Sequence, residues 1–380
     1  MKRVGLVGWR GMVGSVLIQR MLQEGDFNFF ETRFFSTSNA GDKVPEKIKF
    51  KGSLILADAF DESALADCDV ILTCQGSEYS RKMFPILRSK GWSGFWIDAS
   101  REFRMEEETT IVLDPLNRSS IDSAIKTGRK IFCGGNCTVS CLLMAIHGLV
   151  KNKLVECVSS TTYQAASGGG AKHMKELLTQ TGKIYKRVDS LLSQDNSHIL
   201  DIDSKVLDTQ KNFSANETHC FKVPLAGSLI PWIDQDRNDG WSLEEWKGDV
   251  ELNKILGSDK KEKVKVDFTC VRVGVMRCHS QSVILKLKQK LDIEDVEKIL
   301  DEANPWVEVV PNKKADSEQS LSPLYTSGTL KIPIGRVRRM NYDDSCISAF
   351  TIGDQLLWGA AEPLRRMLRI LADENFPKDA

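Results

Sequence analysis

Arg3-Val4-Gly5-Leu6-Val7-Gly8-Trp9-Arg10-Gly11-Met12-Val13-Gly14 sits almost at the start of the chain, and apolar residues continue from it at Val16, Leu17, Met21 and Leu22. Residues 3–7 read as a short buried strand, the glycines as a turn, and the spaced apolar positions as a helix. A strand, a glycine turn and a helix in that order form the first unit of a dinucleotide-binding domain. Backbone amides at the helix start, together with the helix dipole, attract a pyrophosphate. Gly8, Gly11 and Gly14 make a G-x-x-G-x-x-G loop rather than the commoner G-x-G-x-x-G, and taken alone they also suit a plain structural turn.

Working outward, buried strands are expected at 32–37, 70–74, 94–98 and 110–113, with helical stretches such as 78–90 between them. This alternation predicts a parallel, doubly wound sheet. The second strand ends Phe35-Ser36-Thr37-Ser38 with no carboxylate to hold a ribose 2′-hydroxyl. Hydroxyls at Thr37 and Ser38 with Arg10 nearby favour NADP over NAD; otherwise Thr37 and Ser38 simply begin a turn. Beyond Asn136 the pattern changes. Segments 155–163, 264–276 and 282–288 are long and partly alternating, which predicts a separate α+β domain with a one-sided sheet. Helices are expected at 171–186, 242–256 and 293–303, and 187–218 reads as a polar excursion or contact arm. An amphipathic helix at 355–372 would return to the first domain.

With 380 residues the chain exceeds one comfortable core, so two domains are expected. Its 52 basic and 52 acidic residues leave no global field to draw nucleic acid or anionic lipid. Glycines and Arg10 break the apolar start, no run reaches membrane-spanning length, and ten scattered cysteines suit reduced thiols; a cytoplasmic protein is expected. Cys133, Cys137 and Cys141 lack the spacing of a zinc site, so no metal is expected.

Cys137, in Gly134-Gly135-Asn136-Cys137-Thr138-Val139, falls at the start of a helix marked by Leu142, Leu143, Ile146 and Leu149. That position lowers a thiol pKa and offers amides to an oxyanion, although a lone cysteine is more often structural. His279, where one strand ends and the next begins, is placed to exchange a proton with a cysteine. A surface histidine is the alternative.

GWRGMVG, GGNCTVS, TTYQAASGGG, LIPWID, EEWKG, CVRVGVMRCHSQS and GDQLLWGAAEPLRRML occur in this order along the chain. Together they resemble the aspartate-β-semialdehyde dehydrogenases of Gram-negative bacteria over essentially the whole length. The resemblance implies a Rossmann-like domain (1–136 and 355–380) and a catalytic and dimerisation domain (137–354) similar to that of glyceraldehyde-3-phosphate dehydrogenase. It also implies NADPH-dependent reduction of aspartyl phosphate to aspartate semialdehyde and phosphate through a cysteine thioester, on the route to lysine, methionine and threonine. In it Cys137 would be the nucleophile, His279 the acid/base and Gln164 a substrate-orienting amide. Arg272 would read the α-carboxylate, Glu244 the ammonium, and Arg104, Asn136 and Lys247 the phosphate. Cofactor contacts would come from Gly8, Arg10, Gly11, Met12, Val13, Gly14, Thr37, Ser38, Gln75, Ser167, Gly168 and Gln355. The family is homodimeric. Arg101 departs from the small residue usual there and would either compete for phosphate or face solvent. Without the family, Glu244 and Lys247 read as an exposed intrahelical ion pair. N-acetyl-glutamyl-phosphate reductases and glyceraldehyde-3-phosphate dehydrogenase relatives share the thioester logic but not a substrate ammonium, so Glu244 separates them. A non-catalytic nucleotide-binding protein is disfavoured by the thiol, base and ligand readers together.

Overall fold

The computed structural model describes residues 1–257 and 263–373. The opening segment forms β1 (Lys2–Val7) and α1 (Met12–Gln23). There follow β2 (Phe30–Ser36), the short β3 (Lys51–Gly52) and β4 (Ala57–Asp58), α2 (Glu62–Ala66), β5 (Val70–Thr73), α3 (Ser77–Ser89), β6 (Phe95–Asp98), β7 (Thr109–Val112), α4 (Asp114–Lys126) and β8 (Ile131–Gly134). The strands lie in the order β3-β2-β1-β5-β6-β8-β7, with β4 also on β2. Pairing is parallel throughout. A continuous apolar strand such as β5, buried at every position, is what helices on both faces require. Strand order reverses between β1 and β5, and ligands bind outside the carboxyl ends of strands at such a switch. Gly8 and Gln75 stand at those ends.

The second layer set is α5 (Cys137–Lys151), β9 (Val155–Gln164), α6 (Ala171–Leu192), α7 (Ile199–Lys211), β10 (Leu229–Ile230), α8 (Leu243–Leu256), β11 (Lys265–Val273), β12 (His279–Leu287), α9 (Ile293–Asp301), β13 (Val307–Val310), α10 (Lys314–Ser320), α11 (Pro323–Thr326), β14 (Ile332–Met340) and β15 (Asp343–Gly353). Its mixed sheet runs β10-β11-β9-β12-β15-β14-β13. Helix α5 is buried from Thr138 to Leu149 and forms the core between this sheet and α8 and α9.

Three expectations change. The excursion at 187–218 is instead the end of α6 followed by α7, two helices whose apolar stripe is left outward at Leu178, Tyr185, Leu192, Ile199 and Leu200. The strands β14 and β15 were not foreseen, because Arg336, Arg338 and Arg339 mask the buried alternation Ile332, Ile334, Val337. The single helix at 355–372 becomes a wide π turn (Leu357–Ala361) and then α12 (Glu362–Ala372). Helix α12 is buried on its polar side too: Arg366 bonds Asp114 at 2.7 Å, and Arg365 reaches Asp26 and Glu362. Leu364, Met367 and Leu368 enter the core of the first sheet beside Val4, Leu6 and Leu72. The tail 374–380, expected to belong with the first domain, lies outside the described residues. Among the described residues no helix is long and apolar enough to cross a membrane.

Candidate active site

Strand β8 delivers the chain to the start of α5, where Asn136 is the N-cap: its Oδ1 accepts from the amides of Thr138 (2.9 Å) and Val139 (3.1 Å). Cys137 is thereby fixed as the first helical residue. The helix start was expected to offer amides to an oxyanion; the Asn136 side chain occupies two of them, those of Thr138 and Val139, and a further donor comes from another element. That donor stands across the site. Strands β11, β9 and β12 lie side by side, and their register puts Arg272 opposite Gln164, with His279 beginning the next strand over. Nε2 of His279 is 3.3 Å from Cys137 Sγ.

His279 is fully buried rather than on a surface loop. Its Nδ1 accepts from the Ala165 amide at 3.1 Å, so the neutral ring carries its proton on Nε2, facing the sulfur. Burial first, and then the Arg272 cation, push this imidazole down to about 3. The thiol was expected to be acidified by the helix terminus; burial and then the Glu244 carboxylate raise it to about 11, against the pull of Arg272 and Arg104. A neutral thiol therefore meets a neutral imidazole.

Helix α8 supplies the polar wall. A capping box between Ser242 and Glu245 fixes its start. Glu244 and Lys247 share one face as expected, 3.2 Å apart, but they are buried at 7% exposure each, which rules out the reading as an exposed pair. Burial alone would raise the Glu244 carboxyl, yet Lys247, Asn136 and Arg272 outweigh it and the carboxylate lies below its usual range. Asn136 Nδ2 donates to Glu244 at 2.9 Å, and Gln164 Nε2 reaches it at 3.4 Å. Arg272 Nη1 donates to the Ala165 carbonyl at 2.6 Å, so the backbone of one residue orients both Arg272 and His279. Arg104 pairs with Glu251. Cys137, Gln164, Arg272, Arg104, Glu244 and Lys247 all face one cavity of about 780 Å³.

Met12, Val13, Ser167, Gly168 and Gln355 line the far end of that cavity, linking it to the first sheet's switch point. Gln355 donates to Ser167 Oγ and accepts the Cys278 amide at 2.9 Å, tying the returning segment to the residue before His279. Next to it a cleft of about 480 Å³ is lined by Gly8, Arg10, Gly11, Thr37, Ser38 and Gln75. Gly8 and Gly14 have no room for a side chain. Gly8 has φ +72°, and a Cβ on it would sit 2.5 Å from the Gln75 nitrogen; one on Gly14 would sit 2.3 Å from the Gly8 carbonyl oxygen. Gly14 thus lies beneath the loop, packing it, and does not face the cleft. No side chain caps α1, which leaves its N-terminus open to an anion. Arg10 Nη2 donates to Ser36 Oγ (2.6 Å), Ser38 Oγ (3.3 Å) and Asn39 Oδ1 (3.0 Å), a cation held in hydroxyls with no carboxylate beside it.

Sequence reasoning missed Asn39, Asp234, Glu251, His173 and the Ala165 peptide. Asp234 accepts from both Lys247 and Arg101 at 2.6 Å, so Arg101, which also lines the cavity, is ion-paired there. Glu251 carried a readable signal: it stands two helical turns after Glu244, on the same face. His173 lines the main cavity just after the glycines at 168–170. The Ala165 contacts are backbone contacts and left no mark in residue type.

Two family models cover most of the chain: the semialdehyde dehydrogenase NAD binding domain over residues 3–124, and the semialdehyde dehydrogenase dimerisation domain over 146–358. Among solved structures, aspartate semialdehyde dehydrogenase from Francisella tularensis is 43% identical, covers 98% of this chain and 100% of its own, and superposes with a TM-score of 0.91. Aspartate semialdehyde dehydrogenase II from Vibrio cholerae, complexed with ASA, shares the fold at 24% identity and a TM-score of 0.76, with 98% of each chain covered. The Candida albicans enzyme with NADP does so at 17% and 0.66, covering 98% of this chain and 99% of its own. Fold, length and sequence agree, and the chain belongs to the aspartate semialdehyde dehydrogenase family of oxidoreductases.

Proposed function

We propose that the chain interconverts β-aspartyl phosphate with aspartate-β-semialdehyde and phosphate, using NADP and an acyl-thioester on Cys137. The observation that carries this reading is the contact between Cys137 Sγ and His279 Nε2, inside a cavity that also holds readers for a carboxylate, an ammonium and a phosphate.

In the oxidative sense the Cys137 thiol releases its proton to water as the substrate seats, and the resulting thiolate adds to the aldehyde carbon, forming an S–C bond as the carbonyl electrons move to oxygen. His279 Nε2–H donates to that oxyanion. This differs from the proton-taking role expected from sequence, because a ring whose Nδ1 accepts a backbone amide has no lone pair at Nε2. Gln164, whose amide lies at the end of β9, holds the adduct beside the sulfur. When bound, the nicotinamide supplies the hydride acceptor and donor chemistry. The C–S bond of the thioester breaks when a phosphate oxygen attacks, and the thiolate is regenerated. The reverse order of steps serves the reductive direction.

Arg272, a planar donor 7% exposed, fits the α-carboxylate, and Glu244 fits the ammonium. Arg104 and Lys247 supply the phosphate cations, beside Asn136. Arg10 among hydroxyls suits the 2′-phosphate of NADP. We assign 1–136 and 355–380 to the cofactor domain and 137–354 to the catalytic domain. A homodimer covering the outward stripe of α6 and α7 accords with the matched dimerisation domain.

The test is phosphate-dependent reduction of NADP by aspartate semialdehyde, with NAD in parallel and Cys137→Ala beside the parent. Rapid turnover with NADP, lost in the variant, is expected. Turnover that persists without Cys137 would overturn the thioester, and equal rates with NAD would overturn the cofactor preference.

A further inference from the structure

We infer that Glu251 is a positioning residue that aims Arg104 at phosphate and, through the same carboxylate, locks the peptide from which the nucleophile's helix begins. The inference rests on the phosphate role proposed above for Arg104.

Glu251 lies on α8 at 2% exposure, a carboxylate that would be costly there without partners. It has two. Oε1 accepts from Arg104 Nη1 at 3.1 Å, and Oε2 accepts the Asn136 amide at 2.6 Å. Both bonds to Arg104 use Nη1, at 3.1 and 3.4 Å. The guanidinium is thus gripped at one corner, its buried Nε makes no hydrogen bond, and Arg104 lines the same cavity as Cys137. A buried donor left unmatched costs free energy, so this guanidinium has bonding capacity that Glu251 does not use. Lys254 completes the clamp by donating to the Arg104 carbonyl at 2.6 Å.

Asn136 is held by α8 twice, its amide by Glu251 and its side chain by Glu244. Two carboxylates on one face of one helix therefore set where α5 starts, and so where Cys137 Sγ sits. A negative charge in an anion site would ordinarily weaken phosphate binding. Here the carboxylate is matched by Arg104, and its geometric hold on the fork outweighs residual repulsion. The two effects predict opposite signs, which makes the inference testable.

Glu251→Gln keeps the shape and an acceptor for the Asn136 amide but sets an NH₂ group against the Arg104 fork, or the reverse if the amide flips. The oxidative assay should show KM for phosphate raised about tenfold, the size of one charge-assisted hydrogen bond, with KM for aspartate semialdehyde changed less than about twofold. In an Arg104→Leu background the same substitution should add little further, since the two act as one unit. An unchanged or lowered phosphate KM in Glu251→Gln, with Arg104→Leu still raising it, overturns this inference alone. Arg104→Leu leaving the phosphate KM unchanged overturns the phosphate site itself. A purely structural role would lower the melting temperature and shift both KM values alike. If Glu251→Gln does not fold, Glu251→Asp, which withdraws the charge by one methylene, carries the same expectation and the same refutation.

Discussion

Replacing Gly168 by alanine should disable the site without unfolding the protein. Gly168 does not use left-handed backbone, so a side chain there meets no torsional penalty; it meets neighbours instead. An ideal Cβ would lie 2.7 Å from Arg272 Nη1, 3.1 Å from His279 Cε1 and 3.2 Å from His279 Nε2. Non-bonded carbon and nitrogen atoms settle near 3.5 Å or beyond, so Arg272 must retreat by about 0.8 Å and the imidazole by about 0.4 Å. Neither yields freely. Arg272 is held by the Ala165 carbonyl at 2.6 Å, and the buried ring is pinned at Nδ1. The movement therefore opens the 3.3 Å contact to Cys137 and displaces the Arg272 guanidinium with it. Misplacement approaching 1 Å in a positioned site costs about 10²-fold, or about 2.7 kcal/mol in transition-state stabilisation. Steady-state NADP reduction should show kcat/KM lower by that factor, and iodoacetamide should alkylate Cys137 more slowly because Nε2–H no longer steadies the thiolate. A variant within threefold of the parent in kcat/KM would mean that the Cys137–His279–Arg272 geometry does not govern turnover.

Asp114→Ala removes the carboxylate bonded by buried Arg366 through Nε and Nη2, both at 2.7 Å; unfolding in urea should report a loss of about 3–5 kcal/mol, and a loss below about 1 kcal/mol would show that its other contacts, Trp306 and Trp358 among them, suffice to hold that guanidinium. Acid should destabilise the fold through its buried histidines. His279 and His147 are depressed by burial to about 3 and about 4, from 6.5 in the unfolded chain. Unfolding therefore takes up their protons below pH 6.5: the stability they contribute is complete above that value and falls, by about 1.4 kcal/mol per pH unit for each, as pH drops toward the folded values. His147→Gln should flatten the dependence of the urea midpoint between pH 6 and 4.5, and curves parallel to the parent's would refute the assignment. Cys137 alkylation should instead climb steadily from pH 7 toward pH 11 in the ligand-free protein, and a plateau near pH 7 would contradict a thiol lifted by burial.

Where the chemistry is local, the sequence was legible. The glycine loop precedes its own helix, the missing carboxylate after β2 is one strand away, and Cys137 announces itself because α5 begins on it. His279 was found as a residue between two β-rich runs. What escaped is carried by contacts between distant segments. Arg104 meets Glu251 across 147 positions, and the Ala165 amide reaches His279 across 114. Burial, which no residue type states, decided one alternative and reversed one expectation: it set Glu244 and Lys247 in a cavity wall rather than as a solvated pair, and it raised the thiol that a helix terminus alone would lower. Helix α12 misled for a related reason, since its arginines look like a solvent face until Asp26 and Asp114 are placed opposite them.

The reversal at Cys137 follows from magnitudes. A helix terminus is worth about 0.3–1 kcal/mol to a charge placed on it. Withdrawing a thiolate from water costs more, and the Glu244 carboxylate adds to that cost. Asn136 weakens the terminus further by occupying the amides of Thr138 and Val139. The resting sulfur is consequently a protected thiol, and the site invests its preorganised charge elsewhere. A substrate ammonium seated on Glu244 would offset the carboxylate that most opposes the thiolate, and a carboxylate on Arg272 would leave the Nε2–H of His279 as the donor aimed at the new oxyanion. Ionisation of Cys137 is thereby coupled to arrival of a substrate carrying an ammonium, and an aldehyde without that group would meet a sulfur still holding its proton.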